Sequence, residues 1–329
     1  MKKNREALKT FIQRGTGACR VCVVGDVMLD KYYYGEVTRI SPEAPVPVTR
    51  VVRTKETLGG AANVAHNLAL LGCHTTVAGY IGDDYHGTSL LARFKRRGIR
   101  VGSLVKTAAP TTTKLRVIGG HQQMMRLDFE ETGPVPEREE ARLIQKAEKS
   151  LAAGAQAVIL SDYGKGACTA GVCTAVIAAA HHHGVPVVVD PKGGDWGRYR
   201  GADYITPNLR ELNEVQRKAA ANEDGAVESA ARYALRRFHI KAMVATRSER
   251  GLSLIKPRSA VHIPTKAQEV FDVSGAGDTV IAVFALALAG GLSPTDSAYL
   301  ANVAAGAVVG KLGTYAVSRE ELLTALARL

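Results

Sequence analysis

Short apolar runs and longer helical runs alternate through most of this chain, and that alternation leaves few architectures open. Strand runs are read at Val21–Gly25, Thr75–Tyr80, Ala157–Leu160, Val185–Val189, Tyr204–Thr206 and Ala242–Ala245. Between them lie helical runs at Ala61–Leu71, Gly87–Arg97, Glu137–Ala152, Ala170–His182, Leu209–Gln216 and Gly225–Phe238. Two further helices, Ala276–Ala289 and Pro294–Val309, follow. Strands alternating with helices of this length predict an α/β fold with a mainly parallel sheet covered on both sides. Two β-rich segments interrupt the pattern. One is Tyr32–Arg53, with Pro42, Pro45 and Pro47; the other is Thr111–Glu130. The second predicts a hairpin, Lys114–Ile118 and Gln122–Asp128, turning at Gly119-Gly120. No internal repeat, low-complexity tract or long linker is present, and 329 residues leave room for one large α/β domain plus an appendage, or two modest domains.

Apolar residues make up 46% and charged residues 22%, ordinary for a soluble globular protein. Lys plus Arg number 43 against 31 Asp plus Glu, a net charge of +12. Such a surplus suits nucleic acid, an anionic membrane or small anionic ligands. The cations are spread, with short clusters at Arg93-Phe-Lys-Arg-Arg97 and Arg236-Arg237 and no aromatic-interleaved basic tract, so neither nucleic acid nor membrane is expected as a partner. Met1 to Arg14 carries cations with no apolar core behind them, and Val280–Ala289 is half the length of a membrane span. A cytoplasmic protein is expected. The cysteines (Cys19, Cys22, Cys73, Cys168, Cys173) lack framework spacing, and Cys19-Arg-Val-Cys22 lies in a strand-like run, where buried thiols are the expectation. His181-His-His183 ends a helix, where cationic character suits the dipole and metal binding is not expected.

Strand after strand finishes on a polar side chain: Asp26, Asp162, Asp190, Asn208 and Thr246. Each alone is an ordinary helix cap or turn residue. In open α/β sheets, however, ligands bind outside the carboxyl ends of the strands, and five such ends predict one site. Beyond them, Phe271-Asp-Val-Ser-Gly-Ala-Gly-Asp-Thr279 stands directly before a long apolar helix. A Gly-Ala-Gly turn opening a helix lets N–H groups converge on an anion, and Asp278 hangs a carboxylate over the same place. An anion cradle beside a fixed base is what phosphoryl transfer to a hydroxyl requires. The alternative is a Gly-rich turn capped by a solvated Asp. No G-x-x-x-x-G-K-[ST] and no G-x-G-x-x-G after the first strand occur; Gly306-Ala-Val-Val-Gly310-Lys311-Leu312 is one residue short and ends in Leu.

Asp272-Val-Ser-Gly-Ala-Gly-Asp-Thr279 resembles the C-terminal signature of the ribokinase (PfkB) carbohydrate kinases, and Gly59-Gly-Ala-Ala-Asn63 the N-terminal one. Asn208-Leu-Arg-Glu211 is similar to the family's N-x-x-E motif, and the order and separation of all three agree. Within the family, the heptose 7-phosphate kinases of lipopolysaccharide core biosynthesis are most similar. The likeness is carried by Gly25-Asp-Val-Met-Leu-Asp-Lys31, Arg39-Ile-Ser-Pro-Glu-Ala-Pro-Val-Pro47, Ser161-Asp-Tyr-Gly-Lys-Gly166, Asp190-Pro-Lys-Gly193 and Val309-Gly-Lys-Leu-Gly-Thr314. The resemblance implies a ribokinase-like three-layer α/β sandwich over residues 1–329 with a small β-sheet lid from insertions at about 32–56 and 111–130. It implies ATP-dependent phosphorylation of D-glycero-β-D-manno-heptose 7-phosphate at O1, and a stand-alone kinase, since no adenylyltransferase motif G-x-F-D-x-x-H-x-G-H occurs.

By the same resemblance, Asp278 is the base, and the N–H groups of Gly275, Ala276 and Gly277 hold developing charge. Asp30, Gly59, Gly60 and Asn63 grip sugar hydroxyls, and Asp162 belongs to the substrate side. Arg126 is the expected main contact of the 7-phosphate, with Lys114 and Arg116 beside it. Asn208 and Glu211 order Mg²⁺ and its waters, and Asp190, Lys192, Thr246, Arg247, Gly251, Ser274 and Asn302 fall where the family meets ATP. Whether K⁺ assists near Asp272 stays open. The family often has Thr-x-Gly at the ATP loop; Thr246-Arg-Ser248 departs from it and puts a backbone contact at Ser248 in question. The lid often doubles as a dimer interface, so a homodimer is expected. The alternatives are a kinase for another sugar or sugar acid, or a catalytically silent sugar-phosphate sensor, which has no need of a base.

Overall fold

The computed structural model describes residues 2–120, 122–131, 133–265, 271–311 and 315–328. His121 of the expected hairpin, Leu312 of the near-miss loop, and Leu312-Gly-Thr314 of the last motif lie outside the described residues. In chain order the elements are α1 (Lys2–Thr10), β1 (Arg20–Gly25), β2 (Val27–Ile40), β3 (Pro47–Gly60), α2 (Ala61–Leu70), β4 (His74–Gly82), α3 (Tyr85–Arg96) and β5 (Arg100–Thr107). Then come β6 (Thr113–Gly119), β7 (Gln122–Phe129), α4 (Glu137–Ala152), β8 (Ala157–Ser161), α5 (Ala170–His182), β9 (Val187–Asp190), β10 (Tyr204–Ile205) and α6 (Leu209–Glu214). The rest are α7 (Asp224–Phe238), β11 (Ala242–Thr246), β12 (Leu252–Ile255), β13 (Ala260–Ile263), α8 (Ala276–Ala289), α9 (Pro294–Val308) and α10 (Arg319–Ala327).

Among the described residues, nine strands form the large sheet in the order β13-β12-β11-β10-β9-β8-β1-β4-β5. The seven from β11 to β5 run parallel, and β12 and β13 are antiparallel additions at one edge. Period-two alternation sends Val21 and Val23 of β1 to one face, where they join Val64 and Leu68 of α2, Ile281 and Phe284 of α8 and Leu300 of α9. Cys22 and Val24 point the other way, into a core with Leu143 of α4, Val172 and Val176 of α5 and Val227 of α7. The result is three layers, helix on sheet on helix. Helix α8 is apolar nearly all round because it is buried nearly all round. Cys19, Cys22, Cys73, Cys168 and Cys173 are buried free thiols. No helix among the described residues is long and apolar enough to cross a membrane.

The two β-rich segments build a separate four-stranded sheet, β3-β2-β6-β7. Its first hairpin is longer than anticipated: β2 starts at Val27, directly after β1, and β3 runs to Gly60 at the door of α2. The base of this sheet is clamped to α3 through Glu56, whose Oε2 accepts from Ser89 Oγ at 2.6 Å and Arg93 at 2.7 Å, with Lys31 Nζ 3.4 Å from its other oxygen. Register sets Asp30, Lys114 and Asp128 abreast, then Tyr32, Arg116 and Arg126, so these polar residues share one face. Leu115, Val117, Met125, Leu127 and Phe129 share the opposite face.

Five elements were not anticipated from the pattern: β5, β12, β13, α1 and α10. β5 is an edge strand interrupted by Gly102, with a register shift against β4, and β12 and β13 are four residues each, too short for periodicity to speak.

Candidate active site

The polar residues Thr246, Asn208, Asp190, Asp162 and Asp26 stand at or just past the ends of β11, β10, β9, β8 and β1, which are consecutive neighbours in the sheet. One edge therefore collects them, as the spacing predicted. They do not all do the same thing there. Asp26 is buried, and its carboxylate accepts the N–H groups of Tyr163 at 2.7 Å, Lys165 at 3.0 Å and Ala167 at 2.8 Å, so it pins the loop that follows β8. Asp162 is a correction. Its Oδ1 takes the N–H of Gly164 at 2.7 Å, and its Oδ2 takes Tyr199 Oη at 2.6 Å with Arg198 at 3.3 Å. Three donors, one of them a guanidinium, share its two oxygens and it is 3% exposed, so it braces the loop rather than meeting a sugar.

Asp278 sits in the first turn of α8, just past Gly275, whose φ of 81° starts the helix from the left-handed region. It is 5% exposed. Its Oδ2 accepts from Asn63 Nδ2 at 2.7 Å and its Oδ1 from Tyr163 Oη at 2.5 Å. Asn63 arrives on α2, which is clasped to α8 by Thr279 Oγ1 donating to Asn67 Oδ1 at 3.1 Å; within α2, Asn67 Nδ2 donates to the Asn63 backbone carbonyl at 3.0 Å. Burial raises the Asp278 pKa to about 6; the hydrogen bonds from Asn63 and Tyr163 and the charge of Lys114 oppose that rise, and Asp30 adds to it. Asn63 thus gives its Nδ2 to Asp278, leaving its side-chain Oδ1 for a ligand.

Around this carboxylate stand Asp30, Gly59, Lys114 and Arg116. Asp30 is buried and paired with Arg116 at 2.7 Å. A Cβ at Gly59 would overlap Asp30 Oδ2, and Gly60 has φ +54°, so both glycines are dictated by the backbone's approach to β2. Lys114 has its Nζ 5.7 Å over the Tyr163 ring. Burial lowers its pKa, with Asp30 and Asp128 pulling the other way and Lys165 and Arg116 adding to the fall. No ion pair engages Lys114 among the described residues. Arg126 is a second correction: it is exposed and paired with Asp128 on its own strand at 3.0 Å, so the half-buried Lys114 is the better-placed cation.

In the turn itself, the Ala276 N–H donates to Val273 at 3.2 Å, which corrects the three-donor cradle. The Gly275 and Gly277 N–H groups have no acceptor among the described residues, and a Cβ at Gly277 would meet open space. Ser274 is exposed at the mouth of the turn, its N–H held by Asp272 at 2.8 Å. On the far side, Asn208 and Glu211 form a capping box on α6, each side chain taking the other's N–H at 2.9 Å, and a bridge sets Asn208 beside Thr246. Lys192 is exposed, near enough to Glu211 to stabilise its charge.

Burial, then Glu211 and Asp278, raise the Asp190 pKa well above the carboxylate range, and burial raises that of Glu211. One Glu211 oxygen is left free by the capping box. No cluster of three or more metal-ligating side chains occurs among the described residues. This donor set fits a hard divalent ion that keeps most of its waters.

Residues 19–321 match the model of the pfkB family carbohydrate kinases. The chain belongs to the pfkB family of carbohydrate kinases. It is 47% identical over 309 residues to the bifunctional protein HldE of Hahella chejuensis, covering 93% of this chain and 63% of that protein. With the bifunctional protein HldE of Geobacter sulfurreducens it shares 44% identity over 327 residues, covering 99% and 66%. The chain thus spans less than two thirds of the length of these relatives. Among solved structures it is similar to Escherichia coli phosphofructokinase-2 in complex with potassium (TM-score 0.77, 19% identity, 94% of this chain and 98% of that one). It is also similar to Arabidopsis thaliana ribokinase complexed with ribose and ATP (TM-score 0.71, 21% identity, 94% and 98%). The fold is ribokinase-like, and the chain is a sugar kinase.

Two nucleotide-side expectations for this kinase change in the structure. The Arg247 side chain is 1% exposed and bound to Asn222 at 2.9 Å, Asp224 at 2.5 Å and Ser253 at 3.1 Å, which makes it a core brace and leaves no side-chain donor for ATP. Asn302 is buried, with its Nδ2 given to the Pro264 carbonyl at 2.8 Å, so it anchors the segment after β13. Gly251 is required by φ +80° and by Ile263, whose carbonyl a Cβ would overlap. At the departure from Thr-x-Gly, Ser248 has φ 51°, so this chain holds a serine in a conformation where glycine is at ease. Sequence reasoning gave Tyr163 no role; its signal was the flanking Gly164 and Gly166, both at positive φ, right after a strand end.

A carboxylate whose pKa is raised from 3.8 to about 6 stabilises the fold when protonated. Between those values the folded state holds a proton that the unfolded state has lost, so this contribution disappears as pH rises through about 6 and leaves a cost of about 3 kcal/mol above it. Asp278→Asn is therefore expected to be more stable than wild type at neutral pH, with the gain vanishing below the ordinary carboxylate range. Urea unfolding of both proteins at neutral and acidic pH checks this; an unstabilised variant at neutral pH would contradict it.

Proposed function

We propose that this kinase transfers the γ-phosphoryl group of ATP to O1 of a heptose 7-phosphate, D-glycero-β-D-manno-heptose 7-phosphate, giving the 1,7-bisphosphate, with Mg²⁺ as the metal. The observation that carries the reading is the pairing of a buried, ionisable Asp278 with the uncommitted cation Lys114 on the sheet above it. Similarity to the HldE proteins over nearly the whole chain narrows the sugar class. Asp278 takes the hydroxyl proton, and the free N–H groups of Gly275 and Gly277 receive developing negative charge at the start of α8. Asp30 and the side-chain Oδ1 of Asn63 accept from sugar hydroxyls. Asn208, Glu211 and Asp190 would hold the Mg²⁺ with its waters, which supplies charge neutralisation on the phosphates. Lys192, Thr246 and Ser274 line the nucleotide side. The four-stranded sheet acts as the lid.

³¹P NMR of the products from ATP and a panel of sugar 7- and 6-phosphates tests the substrate; a new anomeric phosphate on the heptose 7-phosphate is the expected result. Phosphorylation of a hexose 6-phosphate alone would replace the reading with another sugar kinase. Asp278→Asn should lower turnover by about 10²–10⁴-fold with ATP affinity kept, the worth of a positioned base; retention of most activity would remove the assignment.

Lys114→Met is expected to raise KM for the phosphorylated sugar by on the order of ten- to a hundredfold and to leave KM for ATP alone. Arg126→Ala should have the smaller effect, because Asp128 already holds that guanidinium. A coupled ADP-release assay comparing the two variants decides which cation meets the 7-phosphate.

The opposite lid face exposes Met125, Leu127 and Phe129 at alternate positions, and we propose that a second copy of the chain covers them. Sedimentation of wild type and Leu127→Asp should show a dimer and a monomer respectively; two monomers would contradict the lid interface.

A further inference from the structure

We infer that Tyr163 is a positioning residue: its hydroxyl, donated to Oδ1 of Asp278, fixes the plane of the carboxylate and holds it in the ionised form that accepts a proton. The inference rests on the reading of Asp278 as the base. Both oxygens of Asp278 are tethered, Oδ2 by Asn63 at 2.7 Å and Oδ1 by Tyr163 at 2.5 Å, so rotation of the carboxylate breaks a hydrogen bond at each end. Each tether uses one lone-pair site and leaves another on the same oxygen for an incoming hydroxyl. Tyr163 is itself fixed at its backbone, because Asp26 accepts the N–H groups of Tyr163, Lys165 and Ala167. The strand-end carboxylate of β1 thus acts on the base at second hand, through the loop it pins.

The donor is neutral, and that matters. A cation in direct contact would lower the carboxylate's basicity further; a neutral phenol O–H supports the charge with a smaller loss of basicity. Burial, with the nearby Asp278 and Asp190 charges, pushes the Tyr163 pKa well up, so the phenol keeps its proton and stays a donor. The charged groups facing Asp278 from the surrounding elements are Asp30 on β2, Lys114 on β6 and Asp190 at the end of β9. In the proposed reaction the hydroxyl oxygen bonds to the γ-phosphorus, the bond from that phosphorus to the bridging oxygen breaks, and the proton passes to Asp278. Tyr163 gives up nothing.

The test is the pH dependence of kcat/KM for wild type and Tyr163→Phe with the same substrates, so that substrate ionisation cancels in the comparison. The acidic limb should move up by about one to two pH units, the worth of a charge-assisted hydrogen bond. KM should change little, and activity lost near the old limb should return at alkaline pH. A purely structural role would lower activity equally at all pH values, and that result, or an unmoved limb, overturns the inference. A second measurement needs no substrate. ¹³C-carboxyl NMR of aspartate-labelled protein, with the Asp278 signal assigned by its absence in Asp278→Asn, should show the same upward shift in Tyr163→Phe. If Tyr163→Phe fails to fold, 3-fluorotyrosine at position 163, a stronger donor, should move the Asp278 titration down; no movement overturns the inference. An NMR shift in a protein that phosphorylates no sugar would instead retire the kinase reading of the site while sustaining the contact.

Discussion

The carboxylate of Asp278 is out of water, and the architecture around it is arranged so that it can still ionise. Desolvation alone disfavours the charge. Two donors answer it, one from α2 and one from the loop after β8. Holding them there requires the α2–α8 clasp through Asn67 and Thr279 and the loop pin through Asp26. The site is therefore as rigid as those packing contacts, and a residue such as Asn67, which faces no ligand, belongs to its support.

The other carboxylates at the same edge show how hydrogen-bond supply sorts acidic groups into roles. Asp26 and Asp162 are surrounded by donors and are used up in bracing loops. Asp30 shares its charge with Arg116. Asp190 and Glu211 lie near each other with few donors between them, so burial favours the protonated form of each, and a divalent cation would reverse that. The division follows from who donates to whom rather than from residue type, since four of the five are aspartates.

The small sheet is a two-faced device. Its polar face carries Asp30, Lys114 and Arg116 over the site, while its apolar face turns away. It is tied to the body at Glu56 through α3, and again where Lys165, on the pinned loop, meets Glu130 just past β7 at 2.6 Å. The second tie joins the end of the small sheet to the segment that carries Tyr163.

The fold class, the parallel edge and the helix-opening turn were legible in the sequence, because each rests on local rules: periodicity for strands and helices, glycine for left-handed backbone, polar residues where strands stop. Asp278, its turn and Asn208 could be located that way, whereas Asn63, Asp30 and Glu211 came from resemblance to the family's motifs. What a side chain does once there was not legible. Arg247 reads as an ATP-loop cation, yet it is buried among Asn222, Asp224 and Ser253. Arg126 is neutralised by a residue two positions along its own strand, a pairing that alternation permits but does not require. The role of Tyr163 was not legible because its partner lies 115 positions away. Sequence determined which residues reach the edge; the tertiary structure decided which of them are left unsatisfied there, since desolvation and hydrogen-bond partners across the chain are properties of the packed molecule.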